Sequence, residues 1–570
     1  MWANLSYAKL PASVILSISL GMIWILTFQK YPLNVLSGDA ADFYAPLKSI
    51  FIQGDFLHQE GTSNLILHGR DGTYNVHTVG LAILWLPFFA LASGFSYLLQ
   101  SPLNGDSIVY QVSVIIAATC ALWFGILATY KLLQGLNFSE FTCKATCVCL
   151  IMATHLMYYT WAEPGLSHVY AFALIAWVLF ISYKLAFDYT AHLIIYWFFV
   201  LAVLVLLRPF HILWAFTPFF WNTSPAYIRK LFFNRHALMG LLVFIIVVSI
   251  QALVWYLQTG SIFKDTYPAD GFYFSNPQLF KFLFHPQAGW LLYIPFMGVC
   301  FLGWLALVFK DLKQFGIAFL FLLLSIYILA SFWAYNYFDG WGVRIMVDYA
   351  PLMAIGGAKI LDGLAFYFKK MMWRRLLLLP FITWNILFTY QAQAGIIPRT
   401  GMTVSQFKYV FAKTQSKFAN TLGGWHEPTP YLKNKAKALF ADSLQPASNE
   451  RLNFWEYTPA ISHELRDASN RLVINFNIAR TEPVCGNSNK ALLCVVVKRP
   501  GVPSPVYYTQ TFLNEIPNDS TFKFYQYSQS FCGAFNSGDC VSAYVWNFEH
   551  KCFVVTKFKI QIFSYAYDIS

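Results

Sequence analysis

The sequence predicts an α-helical polytopic membrane protein with about 11 spans, a re-entrant segment and a C-terminal extracytoplasmic β-sandwich-like domain. Of its 570 residues, 57% are hydrophobic and only 12% are charged, and the mean hydropathy is +0.50. Apolar runs long enough to cross a bilayer recur up to about Gln391. Beyond that point the runs shorten and alternate with clusters of Gly, Pro, Asn and Asp, which is typical of strands and turns.

Hydropathy places the spans one by one along this first region. The run from Val14 to Phe28 has no small-residue cleavage site and leads directly into a polar loop, so we expect a retained first span rather than a signal peptide. The two segments on either side of Arg208 are short. The predicted spans are 13–29, 108–130, 143–161, 168–186, 192–207, 209–222, 237–257, 290–309, 315–333, 347–366 and 376–391.

The apolar segment 79–99 decides the sidedness of every later span. If it crossed the membrane fully, the basic residues of 369–375 would lie outside, against the positive-inside tendency. We therefore predict a re-entrant or interfacial segment, a cytoplasmic N-terminus and an outer C-terminus. With this topology Asp39, Asp42, Glu163 and Arg344 share the outer side.

The net charge of +12 needs no nucleic-acid partner. Much of the basic excess lies in short cytoplasmic segments, where anionic headgroups of the inner leaflet and topology signals account for it. No set of Cys and His residues has convincing metal-ligand spacing. Cysteines in or beside the spans, such as Cys143, Cys147 and Cys149, are typical of small buried apolar residues.

Composition divides the chain into three regions. Residues 1–391 form a transmembrane domain whose first outer loop is 30–107, residues 392–470 form an outer connecting region, and residues 471–570 form an outer β-rich domain. Outer cysteines are exposed to an oxidising environment. Those close enough in sequence to close small loops are Cys485 with Cys494 and Cys532 with Cys540, with Cys552 left over.

Two carboxylates follow the first span, in Gly38-Asp39-Ala-Ala-Asp42-Phe-Tyr44. If this segment is helical, the three-residue spacing puts Asp39 and Asp42 on nearly one face, so that one acts as a general base while the other orients it or raises its pKa. The structural alternatives are a solvated loop acid or a helix N-cap for Asp39, and a surface acid for Asp42. We take both as candidate catalytic residues.

Further polar residues on the outer side are candidate substrate-binding groups, each with a structural alternative. For Glu163 the alternative is a cap of the following helix, and for the histidines it is interfacial hydrogen bonding. Arg208 suits snorkelling to the interface. Arg344 suits either a phosphate, through its forked guanidinium, or a salt bridge to Asp339 or Asp348. The candidates are His77, Glu163, His168, Arg208 and Arg344.

The order of these motifs resembles the GT-C superfamily of integral-membrane glycosyltransferases, of the protein mannosyltransferase and lipid A aminoarabinose transferase type, which use polyprenyl-phosphate-linked sugars. The resemblance covers about residues 10–390. Its bacterial members often carry an acid and a Pro or His where this chain has Ala40-Ala41, and the C-terminal domain matches nothing we can name. In chain order, the motifs that carry the resemblance are Gly38-Asp39 to Tyr44 with Gly54-Asp55, His77 to Leu81 with Pro87, Glu163, Arg208-Pro209, and Gly340-Trp-Gly-Val-Arg344 with Pro351.

The resemblance implies an inverting glycosyltransferase of a bacterial inner membrane with a periplasmic C-terminal domain. Asp39 would deprotonate the acceptor hydroxyl, and the polyprenyl phosphate would leave with its charge held by Arg344, aided by Arg208 or His77. The acceptor would be a glycolipid such as lipopolysaccharide, a polysaccharide or a protein. No cofactor is required, although a divalent metal near the acids is compatible with this chemistry.

Two other function classes stay open at this point. A secondary transporter also places ionisable residues near its spans, but it usually carries paired repeats with broken helices, and none is visible in this sequence. A lipid-linked glycan polymerase or ligase would be expected to rely on several outer arginines or a mid-chain histidine rather than on acids in the first loop. Replacing Asp39 by alanine separates these alternatives.

Overall fold

Helices dominate the chain up to Phe418, and strands dominate from Ala436 onward. A computed structural model describes residues 10–28, 35–57, 59, 66–68, 73–264, 271–337, 341–367, 376–397, 402, 404–418, 436–444, 452–453, 461–467, 469–481, 492–502, 505–512, 524–546 and 554–565. Five of the described helices are long and apolar enough to cross a bilayer, which confirms a helical membrane protein at this level. The number of 11 spans stays a prediction.

The α-helices are joined mostly by short connections. They are α1 Ala12–Phe28, α2 Asp39–Lys48, α3 Gly80–Leu98, α4 Ile108–Gly135, α5 Glu140–Met152, α6 Leu156–Trp161, α7 His168–Phe187, α8 His192–Leu207, α9 Pro225–Phe232, α10 Arg235–Thr259, α11 Leu279–Phe284, α12 Trp290–Tyr293, α13 Pro295–Lys310, α14 Leu312–Ser331, α15 Ala350–Tyr367, α16 Leu379–Gln393 and α17 Val404–Val410. A π-helical turn covers Ser49–Gln53, and 3-10 helices cover Pro209–Phe220, Arg344–Val347 and Ser416–Phe418. The five long apolar helices are α3, α4, α7, α10 and α14.

Helix α10 illustrates why the bundle needs an apolar surrounding. Several of its large apolar side chains, such as Leu242, Ile246 and Leu253, are more than half exposed, while the polar Gln251 and Gln258 are buried against the bundle. This is the reverse of a helix on a water-soluble protein, where the apolar side faces inward. Polar residues that face the bundle and apolar residues that face outward suit a helix surrounded by lipid.

The segment predicted to be re-entrant or interfacial is a single helix, α3, that runs without interruption from Gly80 to Leu98 and includes Pro87. A re-entrant segment turns back on itself, so the re-entrant alternative is wrong, whereas the interfacial alternative stays a prediction. The proline removes only one backbone donor, and an apolar helix that neighbouring helices support tolerates such a loss. The helix is also long and apolar enough to cross a bilayer.

Hydrogen bonds to two neighbouring helices show where α3 lies in the bundle. Trp85 donates a hydrogen bond from Nε1 to the hydroxyl of Tyr170, in the first turn of α7, at 2.7 Å. Further along, the Ser93 and Tyr110 hydroxyls are 3.0 Å apart, and Tyr110 lies in the first turn of α4. Helix α3 therefore runs beside the first turns of α4, with its N-terminal end near the start of α7.

The segment predicted as a short span at 209–222 is a 3-10 helix of 12 residues, Pro209–Phe220. With three residues per turn, positions three apart lie above one another, and the buried His211, Trp214, Thr217 and Phe220 form one straight stripe. At about 2 Å per residue the segment is about 24 Å long. It connects the Arg208 end of α8 to Trp221, which donates a hydrogen bond to Ser182 near the far end of α7.

Helices α13 and α15 approach so closely that only glycine fits between them. A Cβ on Gly303 would lie 1.8 Å from the backbone oxygen of Gly356, whereas a Cβ on Gly298, also in α13, would meet nothing within 4 Å. We expect Gly303→Ala to lower the thermal unfolding temperature of the protein in detergent. The same change at Gly298 should leave it unchanged or raise it slightly, because alanine stabilises a helix by about 0.5–1 kcal/mol relative to glycine. Equal unfolding temperatures for the two variants would contradict this packing.

The strands after Ala436 form two antiparallel sheets. The strands are β3 Ala436–Leu444, β4 Leu452–Asn453, β5 Ile461–Glu464, β6 Ser469–Thr481, β7 Leu492–Lys498, β8 Tyr507–Phe512, β9 Phe524–Phe535, β10 Cys540–Trp546 and β11 Val554–Tyr565, and a separate hairpin pairs β1 Ile66–His68 with β2 Thr73–Asn75. One sheet has the order β5-β10-β7-β8 and the other the order β3-β11-β6-β9, with β4 also on β11. Inward residues of both sheets form one core cluster that includes Phe476, Val495 and Ile560, so the sheets pack face to face.

Strand structure begins earlier than the predicted domain start at residue 471. Strand β3 pairs with β11, and β5 pairs with β10, so part of the predicted connecting region 392–470 belongs to the sheets. The sequence of β3, Ala-Lys-Ala-Leu-Phe-Ala-Asp-Ser-Leu, contains mostly residues that are depleted in strands. Its conformation therefore depends on pairing with a distant strand rather than on local preference.

Neither of the two cysteine pairs that are close in sequence forms a disulfide, because Cys494 and Cys540 are free thiols. The register of the strands explains why Cys532 and Cys540 do not pair. Cys532 lies opposite Arg471 in the sheet that contains β6, whereas Cys540 lies opposite Lys498 in the sheet that contains β7. In the other pair, Cys494 is buried in the middle of β7. Its possible partner Cys485 lies outside the described residues, as does Cys552.

Candidate active site

The carboxylate of Asp39 and the guanidinium of Arg344 form an ion pair. Arg344 Nη2 donates to Asp39 Oδ2 at 3.2 Å, and the side chains of Arg344 and Asp39 keep 16% and 33% of their surface exposed. Asp39 is the first residue of α2, where the helix dipole favours a negative charge. The two partners are 305 positions apart in sequence, so this is a tertiary contact, and its partial exposure leaves it accessible to a ligand.

The start of α2 is held by close backbone packing. Gly38 precedes the helix with a positive φ of 58°, which glycine adopts without strain. On the other side, a Cβ on Gly165 would lie 2.3 Å from the Cβ of Ala40. The turn between α6 and α7 therefore packs directly against Ala40, the residue next to Asp39, with no room for a side chain between the two backbone segments.

Glu163 lies on this same turn. It is half-buried and accepts a hydrogen bond from the Tyr158 hydroxyl at 3.4 Å. Helix α7 begins only at His168, with Ser167 before it, so the alternative that Glu163 caps this helix is wrong. The structure thus places Glu163 beside the helix that carries Asp39, without a described contact to the Asp39 carboxylate.

Arg344 is presented by a strained loop. Gly342 has φ 73° and Val343 has φ 55°, and a β-branched residue in the left-handed region is disfavoured by about 1–3 kcal/mol. The carbonyl of Val343 lies 3.4 Å from His155 Nε2. Trp341 anchors the loop from a buried position, surrounded by the rings of His155, Tyr158, Tyr293 and Phe388. Surrounding packing therefore fixes the direction in which Arg344 leaves the backbone.

A second carboxylate, Asp348, is fully buried four residues after Arg344. Its Oδ1 accepts a hydrogen bond from His168 Nδ1 at 3.0 Å, and its Oδ2 accepts one from His211 Nε2 at 3.0 Å. Arg208 Nη1 lies 4.0 Å from Oδ2, and Arg208 Nη2 donates to His168 Nε2 at 3.4 Å. Residues from α7, the 3-10 helix and the loop before α15 thus meet at one carboxylate.

The Arg208-Pro209 sequence explains how Arg208 reaches this carboxylate. Proline lacks a backbone N–H and restricts the residue before it, so α8 ends at Leu207 and Arg208 is extended, with φ −153° and ψ 117°. In the 3-10 helix that follows, His211 comes three residues later and returns to the same side. Arg208 and His211 therefore approach Asp348 together.

His77 links the two carboxylate regions. Its ring stacks on Phe43 of α2, with ring centroids 4.1 Å apart, and its backbone N–H donates to Asn75 Oδ1 at 2.9 Å. The hydroxyl of the next residue, Thr78, donates to the carbonyl of Leu207 at 2.9 Å. His77 therefore lies between α2 and the chain segment that carries Arg208.

We call these seven residues the ionic cluster: Asp39, His77, His168, Arg208, His211, Arg344 and Asp348. Asp42, the other candidate carboxylate of α2, differs from Asp39 in being fully buried, and its backbone oxygen accepts a hydrogen bond from Asn75 Nδ2. The two carboxylates of α2 thus occupy different environments. A cluster with two carboxylates and two guanidinium groups can bind an anion and accept a proton at the same place.

The electrostatic environment keeps Asp39 ionised. Burial alone would raise the pKa of its carboxyl, but the positive charges of Arg344 and Arg208 and the hydrogen bond from Arg344 outweigh it, so the pKa lies below its ordinary value. His77 behaves differently. Burial disfavours its charged form more than Asp39 favours it, and lowers its pKa to about 4. At neutral pH the imidazole of His77 is therefore uncharged.

Neither a protein-family model nor a curated protein matches the chain. The site must therefore be interpreted from its own geometry. In the part of the chain that the structure describes, no group of three or more His, Cys, Asp or Glu side chains is arranged to hold a metal ion. The predicted salt-bridge partner Asp339 lies outside the described residues.

The sequence interpretation missed one member of the cluster, His211, and the role of another, Asp348. It considered Asp348 only as a salt-bridge partner of Arg344, whereas the structure pairs Arg344 with Asp39 and gives Asp348 two histidine donors. The available signal was the spacing of Arg208 and His211, which are three residues apart with Pro209 between them. It acquires meaning only if the segment is recognised as a 3-10 helix.

Proposed function

We propose that this chain is a glycosyltransferase that moves a sugar from a polyprenyl-phosphate-linked donor to an acceptor on the outer side of a bacterial inner membrane. The observation that carries the proposal is the direct contact of Asp39 with Arg344, with Arg208 close enough to affect the pKa of Asp39. A base and two cations at one partly exposed point are what a displacement with an anionic leaving group requires.

The proposed reaction is a single displacement at the anomeric carbon. Asp39 accepts the proton of the acceptor hydroxyl while that oxygen forms a bond to the anomeric carbon. The bond from this carbon to the phosphate oxygen breaks, and the polyprenyl phosphate leaves with its electron pair. Arg344 and Arg208 stabilise the charge that develops on the phosphate. One displacement inverts the configuration of the sugar.

The ion pair between Asp39 and Arg344 gives donor binding a second effect. A donor phosphate competes with Asp39 for the Arg344 guanidinium, and each hydrogen bond that moves to the phosphate leaves the carboxylate less stabilised. Burial then dominates the environment of Asp39, which raises its pKa and makes it a stronger base. In this proposal the base gains strength only when the donor is in place.

The outer sheets suit a role in binding the acceptor, which completes the proposal. Arg499, which pairs with Asp539 at the end of β7, lies close enough to Lys281 of α11 to add to the effect of burial and lower its pKa. This proximity supports an arrangement in which the sheets border the outer ends of the helices. The proposed acceptors are a glycolipid such as lipopolysaccharide, a polysaccharide or a protein.

The deciding experiment is sugar transfer in membranes that contain the protein. A panel of radiolabelled polyprenyl-phosphate sugars, hexoses and pentoses, is offered together with membranes that supply native acceptors. We expect one donor to be consumed by the parent protein and not by an Asp39→Asn variant present at equal amount. No consumption of any donor by folded parent protein would favour a transporter or a lipid-linked glycan polymerase instead.

The low pKa of His77 gives a prediction about pH dependence. The pKa of about 4 lies below the ordinary 6.5, so the imidazole gains a proton only well below pH 6 and its neutral form persists between pH 5 and 7. We therefore expect the plots of log kcat/KM against pH for the parent and for His77→Asn to be parallel across this range. A step near pH 6.5 that the parent shows and the variant lacks would contradict a neutral His77.

A further inference from the structure

The guanidinium of Arg208 is oriented by a histidine rather than by the nearest carboxylate. Both oxygens of Asp348 already accept hydrogen bonds from His168 and His211 at 3.0 Å, and Arg208 Nη1 stays 4.0 Å from Oδ2. At that distance the pair gains charge attraction without a hydrogen bond. The Arg208 side chain makes its described hydrogen bond to His168 Nε2 instead.

These contacts define the tautomer of His168. Arg208 can only donate, so His168 Nε2 must accept, and the proton of the neutral ring lies on Nδ1, where it is donated to Asp348. His211 likewise donates from Nε2 to the same carboxylate. Asp348 therefore acts on Arg208 through His168, by making the ring nitrogen that faces the arginine an acceptor.

This arrangement leaves most of the Arg208 guanidinium available. A guanidinium has five N–H donors, and within the described residues a single side-chain hydrogen bond, to His168, is made by Arg208. The side chain is 26% exposed, while His168 and Asp348 are almost completely buried. The cation is thus held from its inner side and can donate from its outer side.

We propose that Asp348, His168 and His211 are positioning residues that hold Arg208 as the first phosphate-binding group of the site, ahead of Arg344. The inference rests on the proposed function for the identity of the ligand as a lipid phosphate. The charge of Arg344 is already offset by its hydrogen-bonded partner Asp39, which weakens its attraction for an anion, whereas Arg208 makes no hydrogen bond to a carboxylate.

The two arginines therefore have separable roles. Arg208 contributes to binding of the intact donor, so its loss raises Kd and KM. Arg344 contributes mainly after it has left Asp39, when the bond to the phosphate breaks, so its loss lowers kcat. A purely structural role for Asp348 and the histidines would reduce the amount of folded protein or change both constants together.

The test is calorimetric titration of the purified full chain in detergent with farnesyl phosphate, combined with steady-state kinetics. We expect Arg208→Gln and Asp348→Asn each to raise Kd for farnesyl phosphate by about 10- to 100-fold, the effect of a charge-assisted hydrogen bond, with a smaller fall in kcat than Arg344→Gln shows. Asp362→Asn, which removes a carboxylate bonded to Thr142 near the other end of α15, is the matched control and should leave Kd unchanged.

If Asp348→Asn does not fold, His168→Asn replaces it. An asparagine amide can keep the donor to Asp348 at the Nδ1 position but has no acceptor where Nε2 faces Arg208, so Kd should rise, whereas His168→Gln, whose longer amide can reach Arg208, should restore part of the affinity. An unchanged Kd for Arg208→Gln, or a fall in kcat at unchanged Kd for Asp348→Asn or His168→Asn, overturns the inference.

The outcomes also separate this inference from the proposed function. If the parent binds farnesyl phosphate in a way that depends on Arg208 but transfers no sugar from any donor, the glycosyltransferase proposal fails and the positioning role stands. If the parent transfers sugar while Arg208→Gln binds farnesyl phosphate as tightly as the parent, the positioning role fails and the glycosyltransferase proposal stands.

Discussion

Replacing Asp39 by asparagine is expected to lower kcat for sugar transfer by about 10³-fold, within the range of 10²- to 10⁴-fold that a positioned general base contributes. Asparagine keeps the shape of the side chain and can still accept a hydrogen bond from Arg344, but it cannot take a proton from the acceptor. Donor binding should persist, because Arg344 no longer has a charged competitor. Single-turnover transfer and calorimetric binding of farnesyl phosphate measure the two effects separately.

The matched control for this change is Asp106→Asn. Asp106 also forms an ion pair with a basic residue, Lys48, but its side chain is 54% exposed and it lies outside the ionic cluster. Exposed pairs contribute about 0–1 kcal/mol, so transfer should be nearly unchanged. If Asp39→Asn kept more than one tenth of the parent kcat, another group would have to be the base.

Replacing Arg344 by glutamine is expected to lower kcat by about 10²- to 10³-fold, the usual effect of removing one group that stabilises developing charge. The same change should alter the pH dependence. With Arg344 removed, burial raises the pKa of Asp39, so the carboxylate protonates at higher pH and the acid limb of kcat/KM moves upward in pH. The profile of kcat/KM between pH 4 and 8 measures this shift.

The double variant of Asp39 and Arg344 provides the control. Two residues that contact each other and act in one step should not have additive effects, so the double variant should lose much less than the product of the two single losses. Full additivity would indicate that the ion pair is not part of the reaction. If the acid limb of kcat/KM in Arg344→Gln stayed at the same pH as in the parent, the electrostatic explanation would be contradicted.

The large apolar helices could be predicted from the sequence because their lengths and compositions are constrained by the bilayer alone. Helices α7, α8 and α10 end within a few residues of the predicted spans 168–186, 192–207 and 237–257. The course of α3 could not be predicted in this way. Its apolar composition fits a re-entrant segment, an interfacial helix and a span equally well, and the unbroken helix from Gly80 to Leu98 excludes only the first of these.

The candidate site shows the same division between local and long-range information. Asp39 and Arg344 could be selected individually, because each is a charged residue in an unusual loop, but no sequence rule pairs residues 305 positions apart. His168 was selected as a substrate contact, whereas both of its ring nitrogens have partners inside the protein. The role of Asp348 depends on three separate segments meeting, which a single sequence does not reveal.

The 3-10 helix Pro209–Phe220 also determines which changes of chain length this region tolerates. At three residues per turn, each residue advances the helix by about 120°. Inserting or deleting three residues would keep a stripe such as Trp214, Thr217 and Phe220 on the buried side, whereas inserting a single residue would rotate all that follows by a third of a turn. Homologous chains with this segment are therefore expected to differ in its length by multiples of three.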